Sequence, residues 1–515
     1  MSNSIVGKIV ACIILIVLCF IVGAQAAESA KVSLVYLVMI CGGLFMLIMG
    51  PRCWMLIFLL PSIVAVFPIP GAIGSYNKAF LVCAGVAVYW LFMWTMGYVK
   101  IRWRGMLLLD ILAFLSFALM VASYLKKPVS ILALGIDSDY IGGAPYVYAI
   151  GAFIYYMALS CIPMPIAQLG KVLSWKMWIG LVCAIIICAK NLAGYGGDEA
   201  ESMSMGAAMQ ETRFGAFSGL GAALIVLLFA YFPLVRFLTN PLLIFGMMMS
   251  YAMILISGFR SALVSHTFVV VFMSIVKKEF VMMLVLALAC YGGLLAMSAG
   301  GGLSALPFGV QRSLSVVPGL QVDAAVAREG EGSSDWRYVM WGWALDKRTG
   351  FIKDYVWGDG IGLSSSELSR DQRAIMRGEL RYGDQDQFAR TAQWHSIIIT
   401  VIQSWGYVGL VVVLSTVYVT AFLILRVCSS LRGTSLFVPA MVLLMPFTQS
   451  IVFIYFNTAT MQGYFTWFVT VANTKLLYCI AREQGLLMPW LQHRRYVPQM
   501  IAEHGDRLQQ HAQFL

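Results

Sequence analysis

The sequence predicts an all-α polytopic integral membrane protein, and three observations support this fold class. Only 11% of the 515 residues are charged, whereas about 25% is usual in soluble proteins. Hydrophobic residues make up 60% of the chain, and they are concentrated in long apolar runs. So few charges cannot cover the surface of a water-soluble protein of this size. A soluble enzyme, a disordered regulator and a disulfide-stabilised scaffold are therefore excluded.

Apolar runs of about 20 residues, long enough to cross a bilayer as a helix, recur along the chain and predict about 14 transmembrane helices. The predicted spans lie near residues 6–25, 32–50, 54–70, 79–98, 106–125, 146–163, 173–192, 215–233, 239–258, 261–276, 279–298, 403–427, 436–456 and 462–481. The first span is similar to a signal peptide, because Lys8 precedes an apolar run that ends in Ala24-Gln25-Ala26. The length of that run favours an uncleaved first helix.

The distribution of Lys and Arg predicts the orientation of these helices, because cytoplasmic loops are enriched in basic residues. With the N-terminus in the cytoplasm, 17 of the 35 basic residues lie on the cytoplasmic side and seven lie in short outer loops. The remaining 11 lie in one long loop, from about Gly300 to Thr391, which is then outside the membrane. In a bacterium with two membranes that side is the periplasm, and both termini are cytoplasmic.

These assignments divide the chain into three regions. Residues 1–210 form the N-terminal transmembrane helices, 211–481 form a second membrane region that includes the periplasmic loop 300–393, and 482–515 form a polar cytoplasmic tail. We attribute the net charge of +11 to membrane topology, because no basic stripe with interleaved aromatic residues indicates nucleic-acid binding. No nucleic-acid partner is expected.

The composition of the long loop predicts ordered structure. Aromatic and apolar residues recur at helical spacing within 335–345 and predict a helix that lies at the membrane interface. A glycine-rich turn follows at 358–362, and its GxGxG spacing does not match a dinucleotide-binding fingerprint. A second helix is predicted from Ser364, where Glu367 completes a capping box.

Three residues near the outer membrane surface are candidates for chemistry. His395 lies where the chain re-enters the membrane, and its imidazole can exchange a proton near neutral pH. Arg213 lies at the start of the eighth predicted span, and Arg260 lies in a turn of only a few residues between two spans. Each of them also has a purely structural explanation, because histidines at the membrane interface and arginines that extend to the membrane surface are common.

The arginines suit the recognition of phosphate, because the planar guanidinium presents a fork of donors to phosphate oxygens. Arg213, Arg260 and Arg337, together with His395, are expected on the same outer surface. Such a set fits a lipid diphosphate leaving group and an acceptor hydroxyl that needs activation. We expect no metal and no other cofactor, because the short outer loops contain no acidic cluster with metal-ligand spacing.

Five short motifs occur in order between Arg213 and Gly409. They are Arg213-Phe214-Gly215-Ala216-Phe217-Ser218, Ser257-Gly258-Phe259-Arg260-Ser261, Trp336-Arg337 with Trp341, Gly358-Asp359-Gly360-Ile361-Gly362, and Trp394-His395-Ser396 followed by Trp405-Gly406-Tyr407-Val408-Gly409. In this order, and with a long outer loop between two spans, they resemble the O-antigen ligase/polymerase superfamily of bacterial envelope glycan enzymes.

The resemblance implies an all-helical membrane glycosyltransferase of the C type in the bacterial inner membrane. Such enzymes take a glycan from an undecaprenyl-diphosphate carrier without nucleotide sugar or metal. By position, Arg213, Arg260 and Arg337 would bind the diphosphate, with Arg260 and Arg337 also assisting catalysis, and His395 would orient or deprotonate the acceptor hydroxyl. The chain departs from the family pattern at Ser396, where asparagine is frequent, and after the glycine turn, where serines replace an aromatic residue.

Within this superfamily the number of predicted spans favours a polymerase of O-antigen or exopolysaccharide over a compact ligase. The implied partners are an undecaprenyl-diphosphate-linked glycan donor, a glycan acceptor and the lipid bilayer, with a chain-length regulator and a flippase as further candidates. A ligase that moves glycan onto lipid A core or protein is the alternative. A secondary transporter is a more distant one, for which the spans offer Asp110, His266 and little else. A non-catalytic export or assembly partner is the third.

Overall fold

The computed structural model describes residues 42–66, 77–129, 143–192, 215–362, 394, 396–456 and 460–487. Within these residues the protein is helical and has no strands. Nine helices of this described part are long and apolar enough to cross a membrane, and two shorter apolar helices, Gly215–Tyr231 and Pro241–Ile256, accompany them. The all-α fold of a multi-pass membrane protein is confirmed. The total of about 14 spans and the C-type glycosyltransferase fold remain predictions.

The α-helices from Leu56 onwards are numbered in chain order. The N-terminal region contains α1 (Leu56–Val66), α2 (Lys78–Thr95), α3 (Leu107–Lys126), α4 (Ala144–Cys161) and α5 (Ile166–Leu192). The second membrane region begins with α6 (Gly215–Tyr231), α7 (Leu234–Thr239), α8 (Pro241–Ile256), α9 (Arg260–Lys277) and α10 (Phe280–Ala299). The long loop contains α11 (Phe308–Leu314) and α12 (Ala324–Leu345). The chain then forms α13 (Ile397–Ser430), α14 (Phe437–Leu444), α15 (Gln449–Phe456), α16 (Met461–Thr466) and α17 (Phe468–Glu483).

Where the sequence predicts a loop between the second and third spans, the structure has a short 3-10 helix within one candidate span. Gly42–Val66 forms one candidate span of 25 residues, within which the 3-10 turn Gly50–Met55 leads into α1. Gly50 has a φ of +57°, a conformation that glycine adopts without strain, and Pro51 begins the 3-10 turn. Arg52 is exposed on this turn instead of lying in a loop between two separate spans.

The long loop is ordered over the part that the structure describes. The helix predicted at 335–345 is confirmed as the second half of α12, which begins further upstream because the Asp323 side chain caps it by accepting from the amide of Ala325. The helix predicted from Ser364 lies outside the described residues.

Contacts between helix ends show which of these ends lie together at each end of the bundle. At one end of the bundle, Lys126 of α3 forms an ion pair with Asp354 of the long loop at 2.9 Å, and the Tyr146 hydroxyl of α4 donates to the Ile361 carbonyl at 3.2 Å. At the other end, Lys475 of α17 forms an ion pair at 2.5 Å with Asp110 in the first turn of α3. For α3, α4 and α17 this grouping agrees with the predicted alternation of the spans. Which end faces the cytoplasm remains a prediction.

Buried aromatic side chains form the core between α3, α13 and α16. Trp405 of α13 is 1% exposed, and its ring packs edge to face against Tyr464 and Phe465 at centroid distances of 5.8 and 5.9 Å. The Tyr464 hydroxyl hydrogen-bonds with Ser116 of α3 at 2.7 Å. This packing fixes the part of α13 next to Gly406, where the long loop contacts the helix.

Candidate active site

Arg260 occupies the first position of α9, directly after a short turn. Helix α8 ends at Ile256, and Gly258, with a φ of +72°, reverses the chain within three residues. The predicted tight turn between two apolar helices is therefore confirmed. The half-buried guanidinium of Arg260 reaches α12, where its Nη1 donates to the carbonyl of Gly330 at 3.2 Å.

Arg260 contacts the helix that bears Arg337. Gly330 and Arg337 lie seven residues apart on α12, which is two helical turns and about 10 Å along the axis. A Cβ at position 330 would lie 3.0 Å from the Arg260 Nη1, so a side chain there would require the guanidinium to shift by a few tenths of an ångström. Arg312 of α11 also binds this helix, through an ion pair with Glu329 at 2.8 Å. The structure thus brings Arg260, at the start of α9, into contact with the helix that carries a second predicted site residue, Arg337.

The glycine-rich turn crosses α13 at a break in that helix. Gly406 has φ and ψ values of 67° and −166°, which interrupt the helical hydrogen bonds. The freed carbonyls of Gln403 and Ser404 accept from the amides of Asp359 and Gly360 at 2.6 and 3.1 Å. In return, the amides of Tyr407 and Val408 donate to the carbonyls of Tyr355 and Val356 at 2.8 and 3.3 Å. These four backbone groups next to the break thus find partners in the segment 355–360, as a buried backbone requires.

Two glycines make this crossing possible. A Cβ on Gly406 would lie 2.1 Å from the Val356 carbonyl oxygen, and one on Gly358 would lie 2.3 Å from the Trp405 amide nitrogen. Both glycines have positive φ values, so a side chain there is disfavoured by sterics and by backbone conformation. In the sequence these two glycines belong to separate motifs, and nothing there indicates that they meet. In the structure they form one contact.

Asp354 and Lys126 hold the segment before the glycine-rich turn against the end of α3. The Asp354 carboxylate accepts from the amides of Val356 and Trp357 and from the Lys126 ammonium, which also donates to the Gly358 carbonyl. The pKa of Asp354 is lowered below its ordinary 3.8, mainly by the hydrogen bond from the Trp357 amide and next by the hydrogen bond from Lys126. This carboxylate therefore stays ionised, and it ties the loop to the end of α3.

Trp394, the residue before His395, is held by hydrogen bonds on both sides. Its indole Nε1 donates to the Gln403 side chain at 2.6 Å, and its carbonyl accepts from the Trp341 Nε1 of α12 at 2.6 Å. Trp394 is 1% exposed and packs edge to face against Phe351. It joins α12 to the start of α13, so the residue directly before His395 is held in place.

Two predicted site residues lie outside the described part of the chain. These are His395, which is flanked by the described Trp394 and Ser396, and Arg213, which precedes the described α6 by two residues. Their roles remain predictions. Within the described residues, no group of three or more His, Cys, Asp and Glu side chains is arranged to hold a metal ion, and the metal-free mechanism likewise remains a prediction.

The structure contains an ion pair between Asp110 and Lys475 that was not predicted from the sequence. Lys475 is 2% exposed, and its ammonium also donates to the Ser160 hydroxyl at 2.6 Å and lies 4.0 Å from the centroid of the Trp103 ring. The Tyr156 hydroxyl donates to the same Asp110 oxygen at 2.6 Å. The sequence assigned Lys475 to the basic residues that set topology. Its position six residues before the end of an apolar run was the available signal of burial.

His266, one of the two residues that a transporter could use, forms a hydrogen bond within its own helix. It is 8% exposed in α9, and its Nδ1 hydrogen-bonds with the Ala262 carbonyl at 2.6 Å. A helical histidine satisfied by its own backbone needs no ligand to explain it.

Comparison with models of known protein families finds no match to this chain, and comparison with curated proteins finds no significant match.

Proposed function

We propose that this protein is a bacterial inner-membrane glycosyltransferase that polymerises undecaprenyl-diphosphate-linked oligosaccharide repeat units into O-antigen or exopolysaccharide on the periplasmic face. The observation that carries the proposal is the contact of Arg260 with α12, the helix that bears Arg337. Two cations suited to phosphate oxygens thus belong to one assembly, at the end of the bundle where the long loop lies.

In this proposal the cations bind the diphosphate of the donor lipid. Arg260 and Arg337, joined by Arg213, offset the negative charge that develops on the diphosphate as the bond from its oxygen to the sugar C1 breaks. The acceptor hydroxyl oxygen forms the new bond to C1, and its proton passes to His395. Undecaprenyl diphosphate leaves, and the lengthened glycan stays on the other carrier.

The glycine-rich turn and Trp394 support this proposal by giving the site a rigid frame. Charge stabilisation is effective when the donors are held in position before the reaction begins. The turn is anchored to the break in α13 by four backbone hydrogen bonds, and Trp394 joins α12 to the start of the same helix. The proposal requires His395 to reach the same site as the arginines.

A ligase that transfers glycan to lipid A core or protein is the alternative within the same chemistry. The number of predicted spans favours the polymerase, for which a chain-length regulator and a flippase are candidate partners. A secondary transporter is less favoured, because Asp110, one of its two candidate residues, is paired with Lys475 near a helix end. A non-catalytic assembly partner is separated from the enzyme by the test that follows.

The test is the glycan made by cells that express single variants in place of the wild-type protein. We expect Arg213→Ala, Arg260→Ala, Arg337→Ala and His395→Ala each to abolish or sharply reduce long-chain glycan, while the protein still inserts into the membrane. Arg348→Ala, at an exposed arginine of the same loop, is the matched control and should leave chain length unchanged. Normal chain lengths in all four variants would overturn the proposed site. An Arg260→Ala protein that moved a solute but altered no glycan would favour the transporter.

A further inference from the structure

The connection between α2 and α3 carries a strict alternation of basic and apolar residues, Lys100-Ile101-Arg102-Trp103-Arg104. These residues and Gly105, called the 100–105 segment below, belong to no helix. In an extended chain successive side chains point to opposite sides. The alternation therefore places cations along one side of the segment and apolar groups along the other.

The end of α4 fixes the backbone of the 100–105 segment. The Arg104 amide donates to the Ser160 carbonyl at 2.8 Å, and the Arg102 amide donates to the Cys161 carbonyl at 3.4 Å. Amides of alternate residues that face the same way are typical of an extended backbone. The Arg104 Nη1 also donates to the Ile162 carbonyl at 2.7 Å. Because the last carbonyls of a helix have no partner within it, these bonds satisfy the end of α4 and hold the segment in place.

The apolar side of the segment is exposed at its two large residues. Ile101 is 40% exposed and Trp103 is 41% exposed. The centroid of the Trp103 ring lies 4.0 Å from the Lys475 ammonium, a contact that holds the ring in position. The exposed apolar surface continues toward the end of α2, at Trp94, Met96 and Tyr98. Tryptophan and tyrosine are enriched where a bilayer meets water, so this surface is typical of the membrane interface.

Two cations of the segment are exposed. Lys100 and Arg102 point away from the core, and among the described residues no carboxylate forms an ion pair with either of them. The acidic neighbour at this end is Glu483, which interacts electrostatically with Arg104. The Arg104 guanidinium is already bonded to α4, so Lys100 and Arg102 are the two cations that can meet an anion from outside the protein.

The 100–105 segment lies at the end of the bundle opposite the long loop. It leads directly into α3, whose last residue, Lys126, pairs with Asp354 of that loop. The 20 residues of α3 extend over about 30 Å, which equals the thickness of the hydrocarbon core of a bilayer. The segment is therefore expected at the level of the lipid headgroups, in the leaflet remote from the long loop.

We propose that Lys100 and Arg102 bind the phosphate of an anionic phospholipid of that leaflet, while Ile101 and Trp103 contact its acyl chains just below the headgroup. A lipid matches both sides of the segment, whereas an acidic protein matches only the cations. The site is separate from Arg260 and Arg337, and it does not depend on glycan transfer.

The experiment identifies the lipid that touches the segment. The photo-crosslinking amino acid p-benzoylphenylalanine replaces Ile101 in the full-length protein, which is reconstituted in bilayers of equal parts phosphatidylglycerol and neutral phosphatidylcholine. Mass spectrometry measures the ratio of the two lipids that are crosslinked. We expect this ratio to favour phosphatidylglycerol and to fall about fivefold in Lys100→Met and in Arg102→Met, because each basic residue near an anionic membrane surface contributes about that factor.

Matched controls separate charge from structure. The double variant Lys100→Arg/Arg102→Lys retains both cations and should keep the wild-type ratio. Arg348→Met/Lys353→Met removes two exposed cations from the long loop and should also leave the ratio at position 101 unchanged. In detergent without phospholipid Lys100 and Arg102 lack the proposed partner, so Lys100→Met and Arg102→Met should keep the wild-type thermal stability.

A measurement without charge variants keeps the proposal testable if those variants do not fold. Raising the salt from 0.1 to 1 M shortens the screening length from about 10 to about 3 Å and should lower the phosphatidylglycerol preference of the crosslinked protein. The proposal is overturned if the preference is absent, if it persists unchanged in Lys100→Met/Arg102→Met, or if it is equal at both salt concentrations. Crosslinking of an added polyglutamate peptide in place of phosphatidylglycerol would overturn it in favour of an acidic protein partner.

Discussion

The backbone amide of Asp359 donates to the carbonyl of Gln403 at 2.6 Å, and this bond joins the glycine-rich turn to a broken membrane helix. Gly406 interrupts α13 and removes the usual helical partner of that carbonyl. Irregular backbone within a membrane is tolerated only where protein or water satisfies it. The long loop and α13 are therefore parts of one structure, and the loop cannot detach without exposing unpaired backbone groups.

The first prediction concerns Gly406. Gly406→Ala places a methyl group 2.1 Å from the Val356 carbonyl oxygen and forces a left-handed residue, so we expect a cost of about 3 kcal/mol or more. Gly433→Ala is the control, because Gly433 has a φ of +81° but no atom within 4 Å of its Cβ position. It should cost only about 1–2 kcal/mol. Thermal unfolding of both variants in detergent measures the difference, and equal losses would show that the crossing is not tightly packed.

The second prediction is a pH dependence from Asp354. Because its pKa in the folded protein is lowered below 3.8, its carboxylate stabilises the loop above that pH, and the contribution is lost as the pH falls below it. We expect the unfolding temperature of the wild type to exceed that of Asp354→Asn at pH 7, and the gap to close toward pH 3. Glu331→Gln, at an exposed carboxylate of α12, should show no gap at either pH. A gap of the same size at pH 7 and pH 3 would contradict the assignment.

The third prediction concerns the approach of Arg260 to α12. Gly330→Ala puts a methyl group 3.0 Å from the Arg260 Nη1, so the guanidinium must shift by a few tenths of an ångström, whereas Gly332→Ala meets no atom within 4 Å. Both substitutions raise the helix propensity of α12 by about 1 kcal/mol, so stability does not separate them. Long-chain glycan should fall in Gly330→Ala and stay normal in Gly332→Ala. Equal glycan yields at equal protein levels would mean that the position of Arg260 does not matter.

The fourth prediction concerns the buried pair of Asp110 and Lys475. Asp110→Asn alone leaves a buried ammonium without its carboxylate and should cost about 3–5 kcal/mol. The double variant Asp110→Asn/Lys475→Met removes both charges and keeps an acceptor for the Tyr156 hydroxyl, so most of that loss should be recovered. Lys100→Met, at an exposed lysine, is the control. A double-mutant cycle by thermal unfolding measures the coupling, and additive losses would argue against the ion pair.

The sequence predicted the helices well wherever an apolar run stood between polar residues. The runs near 106–125 and 146–163 correspond to Leu107–Lys126 and Ala144–Cys161, because hydrophobic length alone determines a membrane span. The helix at 335–345 was also predicted, from its aromatic spacing, but not its start at Ala324. The glycines and serines of its first half are weak helix formers, and tertiary contacts such as the Arg312–Glu329 ion pair are invisible in local sequence.

The candidate site could be predicted only as a set of residue types. Arginine indicated phosphate, and the tight turn around Arg260 was evident from the two flanking spans. The partner of Arg260 was not, because Gly330 lies 70 residues away in sequence. The same limit hid the contact of Asp359 with Gln403 and that of Asp110 with Lys475, since no local pattern encodes which distant segments pair. The predicted roles of Arg213 and His395 remain untested by the described residues.

The most direct test is the reaction itself. Purified protein in proteoliposomes would be given undecaprenyl-diphosphate-linked repeat units with EDTA present, and the products would be analysed for chain length and for the carrier to which they are attached. We predict longer glycans that remain on lipid diphosphate, with release of undecaprenyl diphosphate, and loss of this activity in Arg260→Ala. Repeat units that stay unchanged in wild-type proteoliposomes, or that appear only on an added lipid A core acceptor, would contradict the assignment of a polymerase.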